Sequence, residues 1–382
     1  MSTDTDVIIV GGGPAGSTLG LALQRRGFDV TLIDKASFPR DKVCAGWVTP
    51  EVMATLEIDP DDYARERVLQ PISAFRTGLV GQRGVETHYG ETASYGIRRF
   101  EFDEYLLRRS EAAGVRVVQG TPLQSMEREA DGRWCVNGEW RAPLLVGAGG
   151  HFCPVARQLG TANPGQSETS VTAQEIEFEL APEQQAACPV HPDVPELYFL
   201  EDLAGYGWIV RKGNWLNIGL GREGARKLGS EVAGFVDWLK ASGRLHVDPP
   251  GRFKGHAYGL YGHTPREPVH AGAMLVGDAV ALAYPQSGEG IRPAVESALM
   301  AADTIAEAGG QYDRAALTPY RDALQARFGP MRGEPGAAPG AVKRALARPL
   351  MRSRWFARHM VLDRWFLHRH VPPLHGLTPA AD

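Results

Sequence analysis

Cysteine is scarce in this chain and never paired. Its four residues, Cys44, Cys135, Cys153 and Cys188, lie far apart with no CxxC spacing, which argues against a disulfide framework and a cysteine-held zinc site. No metal is expected. An excess of charge is missing too: 41 Lys and Arg stand against 45 Asp and Glu, a net −4, so nothing global attracts nucleic acid. No apolar run approaches the roughly 18 residues that a membrane span needs. The start, Met1-Ser2-Thr3-Asp4-Thr5-Asp6, is acidic where a secretory leader is basic, so a cytoplasmic protein is expected. No repeat of fixed period is present.

Glycine, by contrast, is abundant. The chain has 45 in 382 residues, well above the average of roughly 7%, and no Gly-X-Y period accompanies them. The excess therefore points to tight turns and close backbone approach to a ligand. With 43% hydrophobic and 23% charged residues, the chain can bury a sizeable core, and its length suggests two to three domains.

The first chemistry lies at the N-terminus. Asp6 to Val10 is a short β-branched run, followed by Gly11-Gly12-Gly13-Pro14-Ala15-Gly16 and an apolar helical pattern ending at Gly27. A second strand, Val30 to Ile33, delivers Asp34, where an acid binds a ribose hydroxyl. Gly11 allows the turn, Gly13 lets the backbone approach a pyrophosphate, and Gly16, beside Ala15, lets helix pack on strand. The helix N-terminus then faces the phosphate charge. A second match, Gly219 to Gly224, is followed by Ala225-Arg226-Lys227 rather than an apolar helix; it reads as a strand end turning into a surface loop.

Farther on, Ala273 to Val276 forms an apolar strand ending in Gly277-Asp278, and Pro285-Gln286-Ser287-Gly288-Glu289-Gly290-Ile291 opens a helix. Here the chain resembles the FAD-dependent family that includes aromatic-ring hydroxylases, flavin halogenases and geranylgeranyl reductases. The resemblance implies that Gly277 and Asp278 hold the ribityl chain, and that Gly288, Gly290 and Ile291 place helix amides by the isoalloxazine ring. Independently of the family, amides at a helix start favour negative charge.

The resemblance narrows towards geranylgeranyl reductases through three segments: Phe38 to Gly46 with Cys44, Tyr95 to Asp103 with Arg99, and Tyr206-Gly207-Trp208-Ile209-Val210-Arg211. It implies that the Cys44 segment passes near the flavin, that Arg99 belongs to the cofactor site, and that Tyr206 and Trp208 line an apolar substrate pocket. Three departures stand out. Gly149 and Cys153 replace the family's Asp and Ser, Val210-Arg211 replaces Phe-Pro, and Ala45 replaces a glycine. NADPH handling and substrate therefore do not carry over, and NAD(P)H or another electron donor remains open.

Each residue also has a plainer reading. Cys44 is either a thiol activated by Arg40 and Lys42 or an inert buried cysteine. Tyr206 and Trp208 share a strand face, which core packing alone explains. Between Ala341 and His370, eight Lys or Arg face one acid, Asp363, a net +7 that leaves −11 for the rest. Apolar residues at 351, 355, 362 and 366 give this stretch helical spacing. It is read either as a basic helix on anionic lipid or as a helix packed over the enzyme.

The expected fold is α/β: a discontinuous Rossmann-like FAD domain (residues 1–60, 98–165 and 265–328), a mostly antiparallel substrate domain (61–97 and 166–264), and a linker with a basic helical arm (329–382). The expected function is reduction of a carbon–carbon double bond in an apolar, isoprenoid-like small molecule. A flavin monooxygenase or halogenase is the alternative, and a non-catalytic FAD-binding protein the third reading.

Overall fold

A computed structural model describes residues 3–161, 170–224, 228–264, 266–331, 349–374 and 376–377. The runs Val7–Val10, Val30–Ile33 and Leu144–Gly147 are buried at every position, the pattern of strands covered on both faces. They pair in parallel within a six-stranded sheet ordered 269–270, 273–275, 144–147, 7–10, 30–33, 116–118. Only the edge strand Val269–His270 runs antiparallel. Helix Pro14–Arg25 leaves the first strand with proline at its first turn and Gly13 as N-cap, where a missing N–H and a fixed φ are tolerated. Helices Arg99–Ala112 and Ile291–Glu307 both pack against it.

The second body is a seven-stranded sheet ordered 254–259, 170–179, 215–223, 205–212, 196–199, 74–79, 85–88. It is antiparallel except where Glu196–Phe199 meets Ala74–Leu79. Alternation along Gly205–Lys212 splits its side chains between two cores. Ile209 packs with Phe235 and Val236 of helix Leu228–Ala241; Trp208 and Val210 face the opposite way, with Tyr206 beside them. The fold is thus the expected α/β Rossmann-like sheet with an antiparallel partner. The two are stitched by a small sheet in which Trp47–Val48 pairs with Ser94–Ile97, itself paired with Leu69–Ile72.

The C-terminal arm is helical over Arg354–Phe356 and Ala357–Phe366. Its last turns are widened, with Leu367 N donating to Leu362 O at 2.8 Å. That widening, with the break at Arg352–Ser353 ahead of it, interrupts the simple stripe expected from the sequence: Met351, Leu362 and Phe366 are buried, but Trp355 points outward. Residues 332–348, which hold most of the Gly/Pro connector as well as Lys343, Arg344 and Arg348, lie outside the described residues. Among the described residues no helix is long and apolar enough to cross a membrane.

Candidate functional site

Gly11 turns the chain out of the first strand at φ +119°, and a Cβ there would overlap the Ala148 carbonyl. Gly16 lies against Gly11 in the same way. Gly13 differs, because a Cβ there would meet only an Arg40 guanidinium nitrogen, at 3.5 Å. The side-chain face of Gly13 is thus bounded by a cation alone. Asp34 closes the turn: its carboxylate accepts from Gly12 N at 2.6 Å and from Ala36 N at 2.8 Å.

The two distant glycine motifs touch. A Cβ on Gly277 would lie 3.0 Å from that of Ala15 and 3.4 Å from that of Ala294, so small residues let the 277–278 turn nestle between two helix starts. Asp278 Oδ1 is buried with no hydrogen-bond partner and lies 3.1 Å from where a Cβ of Gly290 would be. Gly290 is the N-cap of helix Ile291–Glu307, whose start, like that of Pro14–Arg25, has no side-chain cap. Ile291 is buried, and Gly288 lies against the Tyr258 hydroxyl.

The remaining site candidates form one connected set. Arg99 grips Asp103 with two hydrogen bonds, at 2.6 and 2.7 Å, and also bonds the Cys44 side chain. Burial opposes the Arg99 charge, but the Asp103 carboxylate more than offsets it and raises the guanidinium's pKa. Cys44 is held from both sides of its peptide: its N–H donates to Glu175, and its carbonyl accepts from Asn217 Nδ2 at 3.1 Å. Asn217 Oδ1 in turn accepts from Trp208 Nε1 at 2.7 Å. The Tyr206 ring lies 5.9 Å from Trp208, and its hydroxyl donates to Ser287 O at 2.5 Å. Arg99, Cys44, Trp208 and Tyr206 therefore sit together beside the 285–290 turn. The aromatic face is covered rather than open, since Phe366 of the arm lies 5.2 Å from the Tyr206 ring and 6.1 Å from Trp47.

Several groups at the site have no motif to announce them. Lys42 contacts His256. Burial first, then Arg99, lower the Lys42 ammonium to about 8; burial and Lys42 hold His256 down at about 3, so the imidazole is neutral. Arg40 pairs with Asp103 at 3.1 Å. Glu175 is pushed up to about 7 by burial, against the pull of Asn217 and Lys212. Their only signal in the sequence is the cationic run Arg40 to Lys42. Gly149 also finds its reason here, since a Cβ would sit 3.0 Å from Pro154 Cδ and 3.1 Å from Cys153 Cα. The family's Asp would be crowded there.

This set of groups suits FAD. The open backbone at Gly13 with Arg40 opposite fits a diphosphate, the orphaned Asp278 oxygen fits a hydroxyl-bearing chain, and two uncapped helix starts offer amides to negative charge. Among the described residues no cluster of side chains could hold a metal ion.

Residues 4–197 match the family described as FAD binding domain. A digeranylgeranylglycerophospholipid reductase of Methanosarcina acetivorans is 30% identical over 330 residues, 79% of this chain and 75% of that protein. The menaquinone reductase of Mycobacterium tuberculosis is 27% identical over 343 residues, 80% of this chain and 78% of its own. Among solved structures, a geranylgeranyl bacteriochlorophyll reductase-like protein from Thermoplasma acidophilum has the same fold. Its TM-score is 0.74 at 21% identity, covering 92% of this chain and 88% of that one.

Proposed function

The chain belongs to the FAD binding domain family and is a flavin-dependent oxidoreductase, and from that premise we propose that it reduces a carbon–carbon double bond in an apolar, isoprenoid-like substrate. The observation that carries this reading is the aromatic wall of Phe199, Tyr206 and Trp208, fixed to the cofactor turn by the Tyr206–Ser287 hydrogen bond. Phe366 of the arm covers this wall, so a substrate that displaces the ring meets a surface that selects an apolar chain. Two of the similar proteins are named as reductases, one of them of a digeranylgeranyl lipid.

When bound, FAD supplies the hydride. The chain's own residues do the rest. Asp278 Oδ1 accepts from the cofactor's side chain, and Arg40 with the Gly13 backbone holds the diphosphate. Arg99, locked by Asp103, fixes the Cys44 sulfur at the edge of the site. The second hydrogen of the reduced bond arrives as a proton. Tyr206 keeps its own proton engaged with Ser287, because burial raises the phenol well above its ordinary range. Glu289, two residues after Ser287, is better suited to give one: burial raises its carboxyl to about 8 against the pull of Arg292, so it is protonated at neutral pH.

The test is anaerobic. Holoenzyme reduced with dithionite, or with NADPH or NADH, is mixed with a geranylgeranyl glycerophospholipid or menaquinone in detergent. The expected result is flavin reoxidation and a product heavier by two hydrogens per double bond, with the added hydrogens in the isoprenoid chain and not on the quinone ring. Reoxidation only after oxygen is admitted, with an oxygenated or halogenated product, would overturn the reading in favour of a monooxygenase or halogenase.

A further inference from the structure

Three large apolar side chains are exposed among the described residues: Phe152 at 66%, Leu350 at 42% and Trp355 at 65%. Two of the three are on the C-terminal arm. The arm's inner side chains, Met351, Val361, Leu362 and Phe366, are already buried against the aromatic wall, so packing fixes which way the arm faces and leaves Trp355 and Leu350 outside. Folding gives no reason for them to be there.

Around them lie Arg352, Arg354, Arg358 and Arg364, none of which is paired with a carboxylate among the described residues. The arm's acid, Asp363, is occupied by the Tyr89 hydroxyl at 2.8 Å and by His359 at 3.4 Å. Arg369 is tied to Glu91 at 3.1 Å. Arg352 donates to Gln82 at 3.3 Å and Arg358 to the His88 carbonyl at 3.1 Å, so the arm presents an indole, a leucine and guanidiniums whose charge no carboxylate among the described residues neutralises, on a chain whose net charge is −4.

We propose that this outer face, Leu350 to Arg364, docks on an anionic lipid bilayer. A bilayer offers phosphate to the guanidiniums and an interfacial zone to the indole and leucine at once. Nucleic acid would satisfy the arginines but leave Leu350 unexplained, and the acidic remainder of the chain would repel it. Docking places the membrane against the element that covers the aromatic wall. The proposal does not depend on alkene reduction, because binding is read without turnover.

Full-length holoenzyme is sedimented with vesicles of phosphatidylcholine and phosphatidylglycerol in equal parts, and with pure phosphatidylcholine vesicles. The expected result is co-sedimentation with the anionic vesicles, weakened by 0.5 M salt, with a blue shift of tryptophan fluorescence. Arg354→Gln with Arg364→Gln should lower partitioning on the order of fivefold per arginine. Leu350→Ser with Trp355→Ser should also lower it and abolish the shift. Since all four side chains lie outside the core, bound FAD and melting behaviour report that the variants remain folded. Wild-type protein left in the supernatant, or variants that bind as well as wild type, would overturn the proposal.

Discussion

Glu289 and His368 lie far apart in sequence yet face each other at 3.5 Å, with Glu289 in the cofactor turn and His368 on the arm. His368 is held at φ +47° by stacking on Tyr284 at 3.7 Å and by Arg292, which donates to its carbonyl at 3.5 Å. Glu51, Arg292 and Glu296 are the other charges facing Glu289. Burial raises the Glu289 carboxyl to about 8 and lowers His368 to about 3, so the folded pair holds one proton from about pH 3 to pH 8. The unfolded pair holds two below about 4.3, one up to about 6.5 and none above. Between about 4.3 and 6.5 the two states bind equally and the pair adds no slope. From about 6.5 to 8 the folded state binds one proton more, so stability falls by about 1.4 kcal/mol per pH unit. Below about 4.3 the unfolded state binds more, and stability falls as acid is added. Glu289→Gln should flatten the stretch from pH 6.5 to 8 in urea titrations and move the onset of the acid limb up from about 4.3 to about 6.5, because His368 alone then sets it. An unchanged alkaline slope would mean that Glu289 is ionised in the fold, and would also remove it as the proton source.

At the scale of elements, the arm is where reading the sequence gained and lost most. Apolar residues at 351, 355, 362 and 366 promised one helical face, and three of them do turn inward. Trp355 escapes because the chain breaks at Arg352–Ser353, where Ser353 caps a new helix, and widens after Phe356, and hydrogen-bond registry of that kind is set by packing partners rather than by local sequence. The strand carrying Tyr206 and Trp208 was legible by its alternation, but its partner was not. Gly219, part of the decoy glycine motif, lies under the Trp208 ring, where any Cβ would overlap the indole; that glycine serves a side chain on the neighbouring strand. Phe366 is the arm's central anchor, touching Trp47, Phe199 and Tyr206. Truncating a buried phenylalanine costs about 3–5 kcal/mol. Here the loss should fall on local opening of the arm rather than on the whole fold. Phe366→Ala should therefore speed tryptic cleavage at the arm's arginines at least tenfold while the rest of the chain stays intact. Cleavage at the parent rate would show that the arm is held by Arg292 and Arg327, which bond its last carbonyls, and not by the ring.

Over the whole molecule, the glycine turn, Asp34 and the Gly277-Asp278 pair were legible because each is a local solution to one contact. Glu175, Asn217 and His256 were not, because each matters through a partner tens or hundreds of residues away. The proposed cofactor site draws on both bodies: Gly13 and Asp278 follow strands of the parallel sheet, Tyr258 is on the antiparallel one, and Cys44 lies between them. FAD should therefore stabilise the molecule by linkage. At a free concentration one hundred times its Kd, the gain is about 2.7 kcal/mol, which for a chain of 382 residues raises the melting midpoint by about 3 °C. Asp278 sets the size of that gain. Its Oδ1 is buried and unpartnered without ligand, so removing it takes away an acceptor that only the cofactor satisfies, worth about ten- to a hundredfold in affinity. At the same FAD concentration, Asp278→Ala should then gain only about 1.4 to 0.4 kcal/mol, at most half the parent's shift. Stripped of FAD, the variant should melt no lower than the stripped parent, since it no longer buries an unsatisfied carboxylate oxygen. A stripped variant that melts several degrees lower would identify Asp278 as a structural turn residue, and a shift equal to the parent's would place the cofactor's side chain elsewhere.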